Sequence, residues 1–97
     1  MTIRKIPGYY ILEHKTTGEF YIGSAKDLAA RLASHKHDLE HGVHCNKKLQ
    51  DIYTGWDDLE IMAIPMHDRE SARRMEQTLL EVNFGKPRCV NNRMAIG

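Results

Sequence analysis

Two short runs rich in aromatic and β-branched residues, Gly8-Tyr9-Tyr10-Ile11-Leu12-Glu13 and Phe20-Tyr21-Ile22-Gly23, stand on either side of Lys15-Thr16-Thr17-Gly18. Runs of this kind form strands, and a turn that short, ending in glycine, returns the chain as an antiparallel hairpin. If His14 faces Glu19 across the turn, Leu12 faces Tyr21 and Tyr10 faces Gly23. Side chains alternate between faces along a strand, so Tyr10 and Tyr21 become diagonal neighbours on one face. Gly23 contributes no side chain there, and open space is expected beside the Tyr10 hydroxyl.

The rest of the chain must cover this hairpin. With 97 residues there is room for one domain, spanning 1–97, and one modest core. Apolar residues make up 41% and charged residues 28%, which argues against collagen, low-complexity disorder and extended coiled coil. Capping side chains between Ser24 and Asp27 precede a helix expected to run to about Glu40 and to end at Gly42. Leu28, Leu32, His35 and Leu39 share its apolar stripe, and Arg31 sits one turn before His35. Asn46 to Tyr53 reads as a shorter helix with Leu49 and Ile52 inward. Leu59 to Ile64 reads as a third strand ending at Pro65. Asp68 caps a last helix to about Asn83 with the stripe Ala72, Met75, Leu79 and Val82. Gly85 and Pro87 break it, and Cys89-Val90-Asn91-Asn92 is an extended tail expected to fold back on the domain. The fold class is α+β.

Charge narrows the partners. The formal net charge is +1, which excludes a polycation that binds nucleic acid through bulk charge. The two halves differ, however. Met1 to Gln50 carries 8 basic and 5 acidic side chains, against 6 and 8 from Asp51 onward. Five of the six histidines (His14, His35, His37, His41 and His44) also fall in the first half, so an anion site is expected there. Cys45 and Cys89 are too few for a disulfide scaffold. With no export leader and no apolar run near the ~20 residues that span a bilayer, a cytoplasmic protein with free thiols is expected.

Glu76 breaks the pattern of the last helix. Ala72, Leu79 and Leu80 lie at i−4, i+3 and i+4, which places its carboxylate at the edge of the apolar face. Burying an ionised carboxylate costs several kcal/mol (rough figure) unless a cation or hydrogen bonds offset it. Arg73 at i−3 is the ordinary partner; a metal ion is the sharper one. The cluster His35, His37, His41, His44 and Cys45 raises a zinc-binding module as a competing reading. Structural zinc normally uses paired cysteines at short spacing, which neither cysteine has.

Taken singly, these residues have ordinary explanations: sheet aromatics, a solvated arginine, a core-edge histidine. Taken in order, Gly8-Tyr9-Tyr10, Tyr21-Ile22-Gly23, Arg31, Glu76 and Asn91 resemble the GIY-YIG nuclease superfamily. The stretch from Tyr21 to Leu28, with Arg31, His35, Gly42, His44 and Lys48-Leu49-Gln50, is similar in detail to the nuclease domains of phage intron-homing endonucleases. The resemblance covers roughly Pro7 to Asn92. It implies a three-stranded antiparallel sheet flanked by helices, and hydrolysis of DNA phosphodiesters with one divalent metal, Mg²⁺ or Mn²⁺.

It also implies roles. Tyr10 would take the proton of the attacking water, and Tyr21 would bind that water or the scissile phosphate. Arg31 would hold the phosphate, His35 and His44 would support the site, and Glu76 would be the sole protein ligand of the metal. Asn91 matches the late asparagine that fixes site or phosphate geometry, with Asn92 as the neighbouring alternative. Lys26, Lys47 and Lys48 would meet the DNA backbone. Two departures stand out: Tyr9 replaces the usual aliphatic residue, and only Arg93 to Gly97 follow Asn92, where homing enzymes carry a sequence-reading domain. Low intrinsic sequence specificity is therefore expected, with a protein partner or homo-oligomer supplying the rest and a phage or mobile-element origin by analogy. A catalytically silent nucleic-acid-binding domain on the same fold is the remaining alternative.

The chemistry agrees with those roles. A phosphodiester gains negative charge in its transition state, so hydrolysis needs fixed positive charge nearby. Arginine supplies it with a planar fork that never deprotonates. A lone carboxylate suits Mg²⁺, which keeps most of its waters. Free tyrosine titrates near ~10, so a tyrosine base predicts activity rising above neutrality.

Overall fold

In a computed structural model, which describes residues 5–91, the chain forms a three-stranded sheet and three α-helices. Strand β1 (Gly8–His14) lies in the middle, between β2 (Phe20–Ala25) and β3 (Leu59–Pro65), and is antiparallel to both. The hairpin register is the expected one: Tyr10 faces Gly23, Leu12 faces Tyr21, and the His14 amide donates to the Glu19 carbonyl. Helices α1 (Leu28–Glu40) and α2 (Lys47–Ile52) connect β2 to β3 through a 3₁₀ turn at Trp56–Asp58, and α3 (Arg69–Asn83) follows β3.

Each helix begins where a short polar side chain precedes it. Asp27, Asn46 and Asp68 accept hydrogen bonds from the amides of Ala30, Leu49 and Ser71, satisfying donors that a helix start leaves unpaired. Of the polar residues before α1, only Asp27 caps it; Ser24 belongs to β2.

The main core lies on one face of the sheet, where Tyr10 and Leu12 of β1 and Ala25 of β2 meet Leu28 and Leu39 of α1, Leu49 of α2, Leu59 and Val90. Leu12 and Leu49 are fully buried, and burying each such side chain contributes on the order of 1.5–3 kcal/mol. Helix α3 packs against β2 and β1. Its Glu76 bonds Ser24, a residue of opposite strand parity to Tyr21 and Gly23, which places α3 on the other face.

The stripe of α3 differs from the expected one. Ala72, Glu76 and Leu80 are buried, while Val82 is 61% exposed. The helix is turned so that an i, i+4, i+8 line faces the sheet, and Glu76 lies at the centre of that line rather than its edge. Hydrophobicity alone would turn a helix the other way; the hydrogen bond from Ser24 offsets the burial of the acid.

At the turn end of the hairpin, buried His14 accepts at Nδ1 from the amides of Thr16 and Thr17 and meets Thr54 Oγ1 through Nε2 at 2.9 Å. Thr54 in turn donates to Asp58. This series ties the turn to the approach to β3. The tail returns as expected: Phe20 and Cys89 form a parallel bridge along the outer edge of β2, and the Val90 amide donates to the Phe20 carbonyl. Cys45 is exposed and Cys89 buried, and both are free thiols. No helix among the described residues is long and apolar enough to cross a membrane.

Candidate active site

The site is built around Tyr10, on the central strand. The phenol is buried and sits across from Gly23, but the space expected there is not open. A Cβ built on Gly23 would collide with Tyr10 Cζ and Oη, so the ring itself occupies the place that the missing side chain leaves. Glycine is needed at this position because a tyrosine lies over it.

From α1, His35 presents Nε2 to the Tyr10 hydroxyl at 2.6 Å. His35 Nδ1 lies 2.7 Å from His44 Nε2, and His44 Nδ1 accepts from the Asn46 amide at 3.0 Å. The two imidazoles are nearly parallel, with centroids 4.9 Å apart, and Tyr21 stands edge-on to both. Tyr10 and Tyr21 thus converge on His35, the ring that their shared strand face meets on α1. One turn before His35 stands Arg31, whose positive charge acts on the Tyr10 phenol.

Glu76 is 7% exposed, and Ser24 Oγ donates to its Oε1 at 2.5 Å. Its other carboxylate oxygen has no hydrogen-bond partner among the described residues. Burial raises the Glu76 carboxyl above the usual range, opposed by the Ser24 hydrogen bond and by the charges of Arg69, Arg73 and Arg31. Glu76 in turn acts on Tyr10. Burial pushes that phenol up, Tyr21 and Glu76 push it the same way, and Arg31 pulls it down. Tyr10 therefore feels the charges of both Arg31 and Glu76, although α1 and α3 cover opposite faces of the sheet.

The histidines separate into two groups. Burial lowers His35 to about 3, with the charges of Arg31 and His44 adding to it, and burial lowers His44 as well. His37 and His41 instead stack on each other along the exposed side of α1 and its C-terminus. No group of three histidine, cysteine or acidic side chains able to hold a metal occurs among the described residues, so the donor set does not fit a zinc cage. One carboxylate with an available oxygen does fit a cation that retains its water.

Asn91 is placed beside the site but not facing into it. Its Oδ1 accepts from the Ile22 amide and its Nδ2 donates to the Ile22 carbonyl, so both ends of the side chain hold the backbone between Tyr21 and Gly23. Asn92 lies outside the described residues. Lys26, Lys47 and Lys48 are exposed, Lys26 just before α1 and the other two on the first turn of α2. Two site residues escape sequence reasoning. Ser24 looks like a helix cap, and Asn46 is one, yet Ser24 carries the Glu76 bond and Asn46 presents its amide to His44.

Comparison with known proteins settles the family. A model of the GIY-YIG catalytic domain matches residues 6–83. The chain belongs to the GIY-YIG family. GIY-YIG domains are nucleases, and their activity generally depends on a divalent metal. A mutant form of the catalytic domain of intron endonuclease I-TevI superposes with a TM-score of 0.75 at 26% identity, covering 95% of this chain and 99% of that one. A second structure, of the catalytic domain of homing endonuclease I-TevI, has a TM-score of 0.72 at 23% identity, over 90% and 98% of the two chains, and shows the shared fold. No protein with a curated description matches. In this fold Tyr10 and Tyr21 meet His35 on one face of the sheet, and Glu76 meets Ser24 on the other.

Proposed function

We propose that this GIY-YIG domain is a divalent-metal-dependent DNA endonuclease with little intrinsic sequence specificity. The observation that carries the reading is the Tyr10 hydroxyl, bonded to His35 and acted on by the charges of Arg31 and Glu76. A base, a phosphate-binding cation and a carboxylate are the parts that phosphodiester hydrolysis requires.

Arg31 holds a non-bridging oxygen of the scissile phosphate, and its fixed charge offsets the negative charge that builds as water adds to phosphorus. Tyr10, as phenolate, takes the proton of that water at Oη, and the bond from phosphorus to the leaving oxygen breaks. Tyr21 orients the water or the phosphate. Glu76, which has one carboxylate oxygen not used by Ser24, is the residue that would hold the metal. When bound, Mg²⁺ or Mn²⁺ supplies Lewis-acid charge at the phosphate. Asn91 acts through β2, by fixing the backbone that carries Tyr21. Lys26, Lys47 and Lys48 contact phosphates along the strand, which binds DNA without reading its bases. A protein partner or second copy of the chain supplies any site preference.

Cleavage of supercoiled plasmid and branched DNA with Mg²⁺ or Mn²⁺ tests the reading. The wild type is expected to cut, and both Arg31→Ala and Glu76→Ala to lose activity by 10²-fold or more (rough magnitude) while staying folded. DNA binding without cleavage in either metal would favour the silent binding domain instead. Cleavage undiminished by Glu76→Ala or by a chelator would remove the metal from the proposal.

A further inference from the structure

We infer that the backbone amide of Asn46 fixes the tautomers of two histidines in series, so that His35 offers an N–H to the Tyr10 oxygen and His44 is a positioning residue for the base. A backbone amide can donate and cannot accept, so His44 Nδ1, 3.0 Å from the Asn46 nitrogen, carries a lone pair. The ring's one hydrogen is then on Nε2, which lies 2.7 Å from His35 Nδ1. Were the shared hydrogen on His35, His44 would have none and would be an imidazolate, which ordinary pH does not produce. His35 therefore accepts at Nδ1 and carries its own hydrogen on Nε2, 2.6 Å from Tyr10 Oη. A doubly protonated His35 is excluded by the same contact, because two N–H groups would point at each other across 2.7 Å.

The consequence falls on the phenol. Tyr10 Oη accepts from His35 Nε2, so its own hydrogen is not spent on that ring. A donor at Oη, together with the nearby charge of Arg31, favours the phenolate form against the burial that opposes it. With the opposite tautomers the phenol would spend its hydrogen on His35, and its oxygen would be held as a donor. Asn46 is itself anchored: its side chain caps α2 through the Leu49 amide and donates to the Val90 carbonyl. The His44 amide donates to Gln50 Oε1, which holds that end of the series. The other groups whose charges act on the series are Arg31 and Asp38 of α1, Tyr21 of β2 and Glu76 of α3.

The effect on catalysis rests on Tyr10 being the base; the tautomers do not. Long-range ¹H–¹⁵N spectra of the unmodified protein between about pH 5 and 8 test the inference without DNA. Both rings are expected to show a protonated Nε2 and a bare Nδ1, unchanged across that range. A protonated Nδ1 on either ring, or an imidazolium in that window, would overturn it. In His44→Ala the His35 ring is expected to populate both tautomers, and kcat to fall by about tenfold with KM unchanged. His44→Gln, whose amide N–H₂ stands near the lost Nε2–H, is expected to restore both readings. A His35 spectrum unaltered by His44→Ala also overturns the inference. Fixed tautomers in a chain that cuts no DNA would support the series while refuting the nuclease reading.

Discussion

Gly23 and Tyr10 are one unit rather than two motif letters. The ring fills the position of the absent Cβ, so Gly23→Ala forces the phenol away from His35. Overpacking of this kind costs about 1–3 kcal/mol. Gly23→Ala is expected to lower stability by that amount and to abolish cleavage. Tyr10→Ala on the same background is expected to return part of the stability and none of the activity, a coupling that denaturant titration of the double-mutant cycle would measure. Gly8 has a parallel reason, since a Cβ there would strike the Ile64 carbonyl and Leu28. The proposed base, Tyr10, has its own pH dependence. Burial holds the Tyr10 phenol above its ordinary value, and the base form gains population as pH rises. The pH profile of kcat/KM should climb through the alkaline range. Arg31→Lys, which removes the planar fork, should shift that climb to higher pH; a profile flat into the acid side would count against Tyr10.

The strands and helices explain why those side chains meet. β1 is central, so Tyr10 can be reached from β2 beside it and from α1 above it, while α3 contributes Glu76 from the opposite face. The tail holds β2 in register through Asn91, whose amide forms two buried hydrogen bonds with Ile22. Asn91→Ala would leave a buried N–H and C=O unpaired, at roughly 1–3 kcal/mol for an unsatisfied group. The expected outcome is a lower unfolding midpoint together with reduced kcat, because Tyr21 and Gly23 flank the residue that loses its support. A variant with lower affinity for DNA and unchanged stability would instead mark Asn91 as a direct substrate contact. Element starts were legible because capping is local: Asp27, Asn46 and Asp68 each announce a helix. The rotation of α3 was not, because the Ser24 bond that draws Glu76 inward spans 52 residues of sequence.

The whole domain answers to acid through its stability and to salt through its affinity for DNA. His35, held near 3 in the folded state, takes up a proton near ~6.5 when unfolded. The unfolded chain therefore binds more protons between those values, and stability falls as pH drops through that window. The loss approaches ~1.4 kcal/mol per pH unit for this residue alone. Chemical denaturation at a series of pH values should show that slope, and His35→Gln should flatten it. The net charge of +1 makes DNA affinity a matter of a few lysines and arginines. Each phosphate contact contributes a slope of about −0.9 in log affinity against log salt. Lys47→Gln should reduce the slope by about one, and an unchanged slope would show Lys47 to be merely solvated.

Period, turn chemistry and capping were enough to define three strands, three helices, the hairpin register and the convergence of Tyr10 with Tyr21, because each depends on neighbours a few residues apart. The order of motif residues pointed to the family. The open space beside Gly23 was misread, since alternation assigns a face but not the direction in which a ring leans. The amide–histidine–histidine–phenol series and the Ser24–Glu76 bond came only with the folded chain. Hydrogen bonds between residues far apart in sequence follow from packing, and no local pattern encodes which nitrogen of a buried imidazole will carry the proton.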